Sequence, residues 1–285
     1  MSMSTAFLFA ILTAISWAAY ALIARTLIIK SDRPLAFAVL VNLFASLFAI
    51  LVLVAEGGVF MGVTMVVLVV TFLSTIFSGI FESLQIFVRK RLEASRSTVL
   101  SQLAPLVTFA GAIIILGEHI TTLKVMGTSL IVGGNLVAAW RHGGALNRRS
   151  VFLAFGAVAA LGSVYIADKF AASHYPIGFY MVLSYLLPAL YIFLFVMPKR
   201  RISQVFSEFR ETTWRLPLLA FTGILGYYLL LKTFRLAEVS TVIPIVYSST
   251  VLTTMGGIII LKERSNVLQK LAGAALVVIG VILLK

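Results

Sequence analysis

Ten apolar runs, each about as long as a bilayer is thick, limit what this chain can fold into. They cover Thr5–Ile29, Pro34–Val54, Val63–Val88, Thr98–Leu116, Leu123–Trp140, Val151–Phe170, Pro176–Met197, Trp214–Leu231, Thr241–Leu261 and Val267–Leu284. A hydrocarbon core of about 30 Å takes about 20 apolar residues as a helix. The runs do not alternate over about 10 residues, as the strands of an outer-membrane barrel would. The first run is too long for a secretory signal and has no Lys or Arg before it, so it is expected to stay as a span. With 61% hydrophobic residues and 12% charged, against about 25% charged in soluble domains, the chain is no soluble enzyme, DNA-binding domain, disordered chain or disulfide scaffold. The fold class expected is an all-α membrane protein of ten transmembrane helices.

The net charge of +13 resembles that of a nucleic-acid binder, but cytoplasmic loops of membrane proteins collect Lys and Arg as well. Of the 23 Lys and Arg residues, only Lys124, Lys169, Lys232, Arg235 and Lys285 follow even-numbered runs, and the other 18 follow odd-numbered ones. That split puts the odd loops in the cytoplasm and both termini on the non-cytoplasmic side of a plasma or inner membrane. No nucleic-acid partner is needed to explain the charge. With no cysteine, the chain has neither a disulfide nor a thiolate–metal site.

The chain also repeats itself. Gly111–Glu118 (GAIIILGE) matches Gly256–Glu263 (GGIIILKE) at an offset of 145. Arg91-Leu92 and Ser97-Thr98-Val99 match Arg235-Leu236 and Ser240-Thr241-Val242 at offsets of 144 and 143. Gly127 and Gly134 match Gly273 and Gly280 at 146, and Trp17 and Tyr20 stand opposite Gly162 and Tyr165. The units are 1–145 and 146–285. Five spans is an odd number, so the two units cross the bilayer in opposite senses. Inverted repeats of this kind build secondary transporters, with the substrate near the midplane and access alternating as one repeat rocks on the other.

Gly117-Glu118 followed by Gly127 and Gly134 resembles the end of an EamA domain, and Lys262-Glu263-Arg264 followed by Gly273 and Gly280 resembles a second. Tandem EamA-like units over nearly the whole chain resemble the ten-helix branch of the drug/metabolite transporter superfamily. The resemblance implies a transporter of metabolites, with amino-acid exporters and nucleotide-sugar and choline carriers among its members. The small four-helix relatives carry an essential Glu in helix 1, and the first run here has no carboxylate. Glu118 and Glu263 match the family pattern and are read as structural residues at helix ends.

A charge at the centre of a span costs about 2.5–3.5 kcal/mol on insertion scales, and most charges here fall near a run's end. Glu82 lies seven residues inside, roughly 10 Å from the end at about 1.5 Å per residue. Ser74, Ser78, Glu82, Gln85 and Arg89 are spaced 4, 4, 3 and 4, one helical face. Such a face looks into the bundle, where Glu82 could attract a cationic group, carry a proton, or pair with Arg89. Around it a pocket could draw Thr13, Ser16, Trp17 and Tyr20 from run 1 and Ser163 and Tyr165 from run 6. Run 7 adds Tyr180, Ser184, Tyr185, Pro188 and Tyr191, and run 9 adds Tyr247, Ser248 and Ser249. Aromatic faces attract ammonium groups, more strongly when desolvated. Trp140 and Trp214, at run ends, read as interfacial anchors.

Pro105, Pro188 and Pro244 can kink runs 4, 7 and 9, and Pro105 and Pro244 are the gating candidates. Run 4 also carries Ser97, Ser101 and Thr108 on the face of Pro105. The paired glycines of runs 5 and 10 suit a static seam of closely packed backbones. Gating is therefore expected in runs 3, 4, 8 and 9.

No cofactor is expected. His119, His142 and His174 fall at predicted loops, too scattered for a metal site. No Walker lysine follows a glycine-rich loop, and no nucleophile–base–acid set lies within the runs, so the chain is not expected to be an enzyme. The function expected is secondary transport of a small organic metabolite, amino acids or amines, with export the direction of the resemblance. The substrate, a coupling proton and the lipid bilayer would be the partners, and a monomer suffices. The alternatives are a choline or quaternary-ammonium transporter with an aromatic cage, or a non-transporting interaction or lipid-handling subunit.

Overall fold

Small side chains bring these helices together, and large apolar ones face outward. Ala6, Ala10, Ala14 and Ala18, spaced by four, are all buried, whereas Leu51, Val54, Ile114, Ile115, Phe152, Phe195 and Leu268 are exposed. That is the pattern of a bundle whose solvent is hydrocarbon. The computed structural model describes residues 3–28, 33–57, 64–91, 100–139, 148–197, 201–260 and 266–285. Among them every regular element is helical.

The helices are α1 (Met3–Ile28), α2 (Pro34–Ala55), α3 (Met65–Arg91), α4 (Ala104–Leu116), α5 (Thr122–Ala139), α6 (Arg148–His174), α7 (Ile177–Tyr191), α8 (Arg201–Thr212), α9 (Arg215–Leu236), α10 (Val239–Tyr247), α11 (Ser249–Ile259) and α12 (Val267–Leu283). Among the described residues, eight helical stretches, with α10 and α11 making one, are long and apolar enough to cross a membrane, while α4 and α12 are apolar but shorter. Each expected run thus has a helical counterpart, and eight of the ten meet the length for a span.

Run 8 was expected to end at Leu231, but α9 runs on to Leu236, and three further features differ from the sequence reading. Run 6 was expected to stop at Phe170, but α6 continues to His174, just before Tyr175-Pro176. Proline disfavours helix in the residue before it, and that sets this end. Pro188 lacks an N–H, and α7 passes after it into a π turn, Ile192–Val196, closed by the Met197 N–H on the Ile192 carbonyl at 2.9 Å. The third difference is α8, which falls where the sequence reading had only a cytoplasmic loop. Ile202, Phe206 and Phe209 are exposed along one side of it while Glu208 is buried, and Arg33 at the start of α2 donates to Glu211 at 2.7 Å. Exposed phenylalanines beside basic residues are the pattern of a helix lying in the membrane interface.

The packing repeats as the sequence does. α5 packs on α12 and α2 on α7; α3 on α6 is answered by α9 on α1, and α3 on α7 by α9 on α2. Gly127 meets Gly280 and Gly134 meets Gly273, so α5 and α12 run antiparallel. By sequence Gly127 corresponds to Gly273. A two-fold axis across the seam, in the plane of the membrane, therefore relates the repeats, and they are inverted.

Candidate functional site

A completely buried acid between the repeats is one the sequence reading did not single out. Asp168 on α6 is completely buried, six residues before the end of its helix, about 9 Å at 1.5 Å per residue. Taking Phe170 as that end had placed Asp168 at the interface. Its Oδ1 accepts the Tyr180 hydroxyl from α7 at 2.6 Å and the Tyr227 hydroxyl from α9 at 2.9 Å. Ser74 of α3 meets Tyr180 at 3.2 Å, and Ser184 meets Tyr227 at 3.3 Å. Four helices from both repeats thus converge on one carboxyl.

Rings continue the site across the junction. Trp17 stacks on Tyr165 with centroids 6.3 Å apart and planes 27° from parallel, and Tyr165 in turn meets Tyr247 of α10. Tyr185 sets its edge on Tyr227 at 5.4 Å and 79°, within electrostatic reach of Tyr20, Glu82 and Asp168. Trp17 and Tyr20 reach this position because α9 offers them Gly226 and Gly223. A Cβ at Gly226 would lie 2.4 Å from the indole, and one at Gly223 would lie 3.1 Å from the phenol ring. Trp17, Tyr20, Tyr185, Tyr227 and Tyr247 remain half-buried near the middle of their spans.

Glu82 looks inward and accepts the Asn42 side-chain amide of α2 at 2.8 Å; Ser78 and Gln85 beside it are half-buried. The side chain of Arg89 lies outside the described residues, as do Trp140, Ser97, His142 and Glu263. Other expected members make more local contacts. Ser163 and Thr13 bond to carbonyls of their own helices, Ala159 at 3.0 Å and Phe9 at 2.8 Å. Tyr191 packs on Gly79 of α3, and Trp214 is exposed at the start of α9, an anchor's place.

Two spans break at the same point of the repeat. Run 4 was expected to continue through Pro105, but the helix is interrupted at Gln102–Leu103 and Pro105 stands in the first turn of α4, where its missing N–H costs nothing. The matching interruption, at Ser248, follows Pro244 and divides α10 from α11. Asn135 of α5 serves both breaks, donating to Gln102 Oε1 at 2.8 Å and to the Tyr247 carbonyl at 3.0 Å. Broken helices of this kind, tolerated where protein or a cavity satisfies the backbone, accompany transporter binding sites.

Charges cluster toward the helix ends. Glu118 accepts the Val239 and Ser240 N–H groups at 2.7 and 2.8 Å, capping α10 from another segment. Lys169 donates to the Phe234 and Ala237 carbonyls, and Arg235 donates to those of Ala172 and Tyr175, both at 2.6 Å. Lys124 pairs with Glu238. Glu56, just past α2, pairs with Lys232 at 2.7 Å and accepts the Tyr228 hydroxyl at 2.8 Å. Burial alone would raise the Glu56 carboxyl, but these two hydrogen bonds outweigh it and hold the group below its ordinary value. Among the described residues no group of three or more His, Cys, Asp or Glu side chains could hold a metal.

Comparisons with known proteins agree with this architecture. A crystal structure 20% identical in sequence superposes with a TM-score of 0.74, covering 99% of this chain and 96% of the other, which establishes the shared fold. No curated protein matches the chain. The model of the EamA-like transporter family matches twice, over residues 4–140 and 148–285. With inverted repeats, paired helix breaks and these two matches, the chain belongs to the EamA-like transporter family and is a membrane-embedded transporter of small molecules, not an enzyme.

Proposed function

We propose that this transporter moves a small organic solute bearing an ammonium group, an amino acid or amine, by alternating access between repeats 1–145 and 146–285. The observation that carries this reading is the convergence of acid, phenols and indole between the repeats, around Asp168, Trp17, Tyr165, Tyr185 and Tyr227. Rings of that kind attract a cationic head through their faces. Glu82 holds the positively charged end, and Trp17, Tyr20, Tyr165 and Tyr180 surround the apolar body. Ser78, Gln85, Ser184 and Ser248 orient the remainder. The breaks beside Pro105 and Pro244 are the places where the spans bend as access changes. Transport is export across the plasma or inner membrane by a monomer with both termini outside.

Counterflow in proteoliposomes, with labelled amino acids and amines as probes, tests the reading. Trp17→Ala should raise the half-saturating concentration about tenfold, the equivalent of losing ~1.4 kcal/mol of binding. Glu82→Gln should abolish transport of cationic solutes. Unchanged transport and pH dependence in Glu82→Gln would sink the role given to that residue. The density of half-buried rings favours one further reading, a quaternary-ammonium substrate such as choline. Stabilisation by choline but not by any amino acid in a thermal-shift screen would select it.

A further inference from the structure

The hydrogen bonding of Asp168 is lopsided. Oδ1 takes both phenol donors, Tyr180 at 2.6 Å and Tyr227 at 2.9 Å. Oδ2 is equally buried and has no hydrogen-bond partner among the described residues. A carboxylate shares charge between its oxygens and gains most when donors are divided between them. A protonated carboxyl differs, because its carbonyl oxygen accepts up to two donors while its hydroxyl oxygen carries the hydrogen. A buried oxygen without a partner costs a charged carboxylate more than a neutral acid, so the arrangement around Asp168 favours the protonated form. No lysine or arginine among the described residues is paired with it; Lys169, next in the chain, turns away to the carbonyls of Phe234 and Ala237.

We propose that Asp168 is the proton-carrying group of the transport cycle, with the proton on Oδ2 in this arrangement. Binding forms one O–H bond and neutralises one carboxylate. Release returns the proton to water on whichever side the repeats have opened and leaves the anion held by two phenols. Oδ2 is enclosed by protein. An uncompensated acid deep in a span calls for such a role. The titratable groups facing it are Tyr180 and Tyr185 from α7, Tyr227 from α9 and Tyr165 on its own helix, with Tyr247 of α10 behind Tyr165. From α3 come Ser74, through Tyr180, and Glu82, within reach of the shared neighbour Tyr185. Among the described residues α4 contributes no titratable group. The inference rests on the transporter reading above and adds the coupling ion and its residue.

Difference infrared spectroscopy of the purified protein tests the site without a solute. Wild type should show a carboxylic-acid carbonyl band that titrates with pH and is missing from Asp168→Asn. The amide mimics the protonated acid, so the variant should fold. Tyr180→Phe and Tyr227→Phe should each move the band to higher frequency, because the carbonyl loses a donor; they carry the test if Asp168→Asn fails to fold. An acid band that survives in Asp168→Asn, or stays fixed in both tyrosine variants, overturns the proposal. In proteoliposomes with common amino acids and choline as probes, Asp168→Asn should lose at least tenfold of the uptake driven by a pH gradient. Accumulation retained in the variant, or following sodium instead of pH, also overturns it. An intact acid band with no probe transported would remove the solute assignment and leave the proton site supported.

Discussion

Gly127 lies against Gly280, not against Gly273, its counterpart by sequence. Two helices related by an axis along the membrane normal would run parallel; this crossed pairing requires opposite directions. The contact is backbone to backbone. A Cβ on Gly134 would stand 2.6 Å from the Gly273 carbonyl oxygen, and one on Gly273 would stand 2.5 Å from that of Gly134.

At Gly134 and Gly273 the nearest atom is thus a backbone oxygen, which cannot swing aside as a flexible side chain would. Gly273→Val should destabilise the protein by about 3 kcal/mol, at the upper end for overpacking, and lower the melting temperature in detergent. Gly133→Val is the control, since nothing lies within 4 Å of a Cβ there, and its melting temperature should barely move.

Glu118 satisfies two N–H groups at the start of α10. Glu118→Ala strands both and should cost about 1–2 kcal/mol, in the range of a lost helix cap. Glu118→Gln keeps one acceptor oxygen and should cost less, so thermal melts of the two variants should rank in that order.

Asn135 bridges the two helix breaks. Asn135→Leu leaves the Gln102 amide oxygen and the Tyr247 carbonyl without that donor, at about 1–3 kcal/mol for each group left unsatisfied. Asn135→Asp, which keeps the size but loses the donors, should be at least as harmful by the same melting assay.

Glu56 supplies an acid-sensitive contribution. Its carboxyl is held below its ordinary value in the folded protein by the Lys232 and Tyr228 hydrogen bonds, so its stabilisation is complete above the unfolded value and fades as pH falls through the folded one. Melting temperature measured downward from pH 6 should therefore drop more steeply below the ordinary carboxylate range in wild type than in Glu56→Gln. Lys232→Met should flatten the same limb.

In the proposed orientation the C-terminus lies outside the cytoplasm. A fluorescent protein fused after Lys285 and requiring the cytoplasm to mature should stay dark, and strong fluorescence would reverse the orientation.

The helices and their duplication were legible in the sequence because both come from periodic apolar residues and glycines, which hydrocarbon solvent enforces along the whole chain. The aromatic set was legible in part: Trp17, Tyr165 and Tyr247 come together, while Ser163 bonds within its own helix and Tyr191 packs on Gly79. Asp168 was hidden by an error of four residues at a helix end, enough to move an acid from the bundle interior to its edge. Pro176 held the correcting signal. Tyr227 had no signal of its own, since its role depends on the Gly226 contact with Trp17 that sets the α1–α9 approach. The helix break at Gln102–Leu103 was equally hidden, because Pro105 serves equally well inside a kink or at a helix start.

Lys169 and Arg235 fasten the ends of α6 and α9 through peptide carbonyls, which neither gain nor lose protons. Acidifying the bath leaves those acceptors unchanged, so this clasp holds as pH falls. Lys169 is the next residue after Asp168 on a continuous helix, and a shift of that acid by an ångström would arrive at the clasp undiminished.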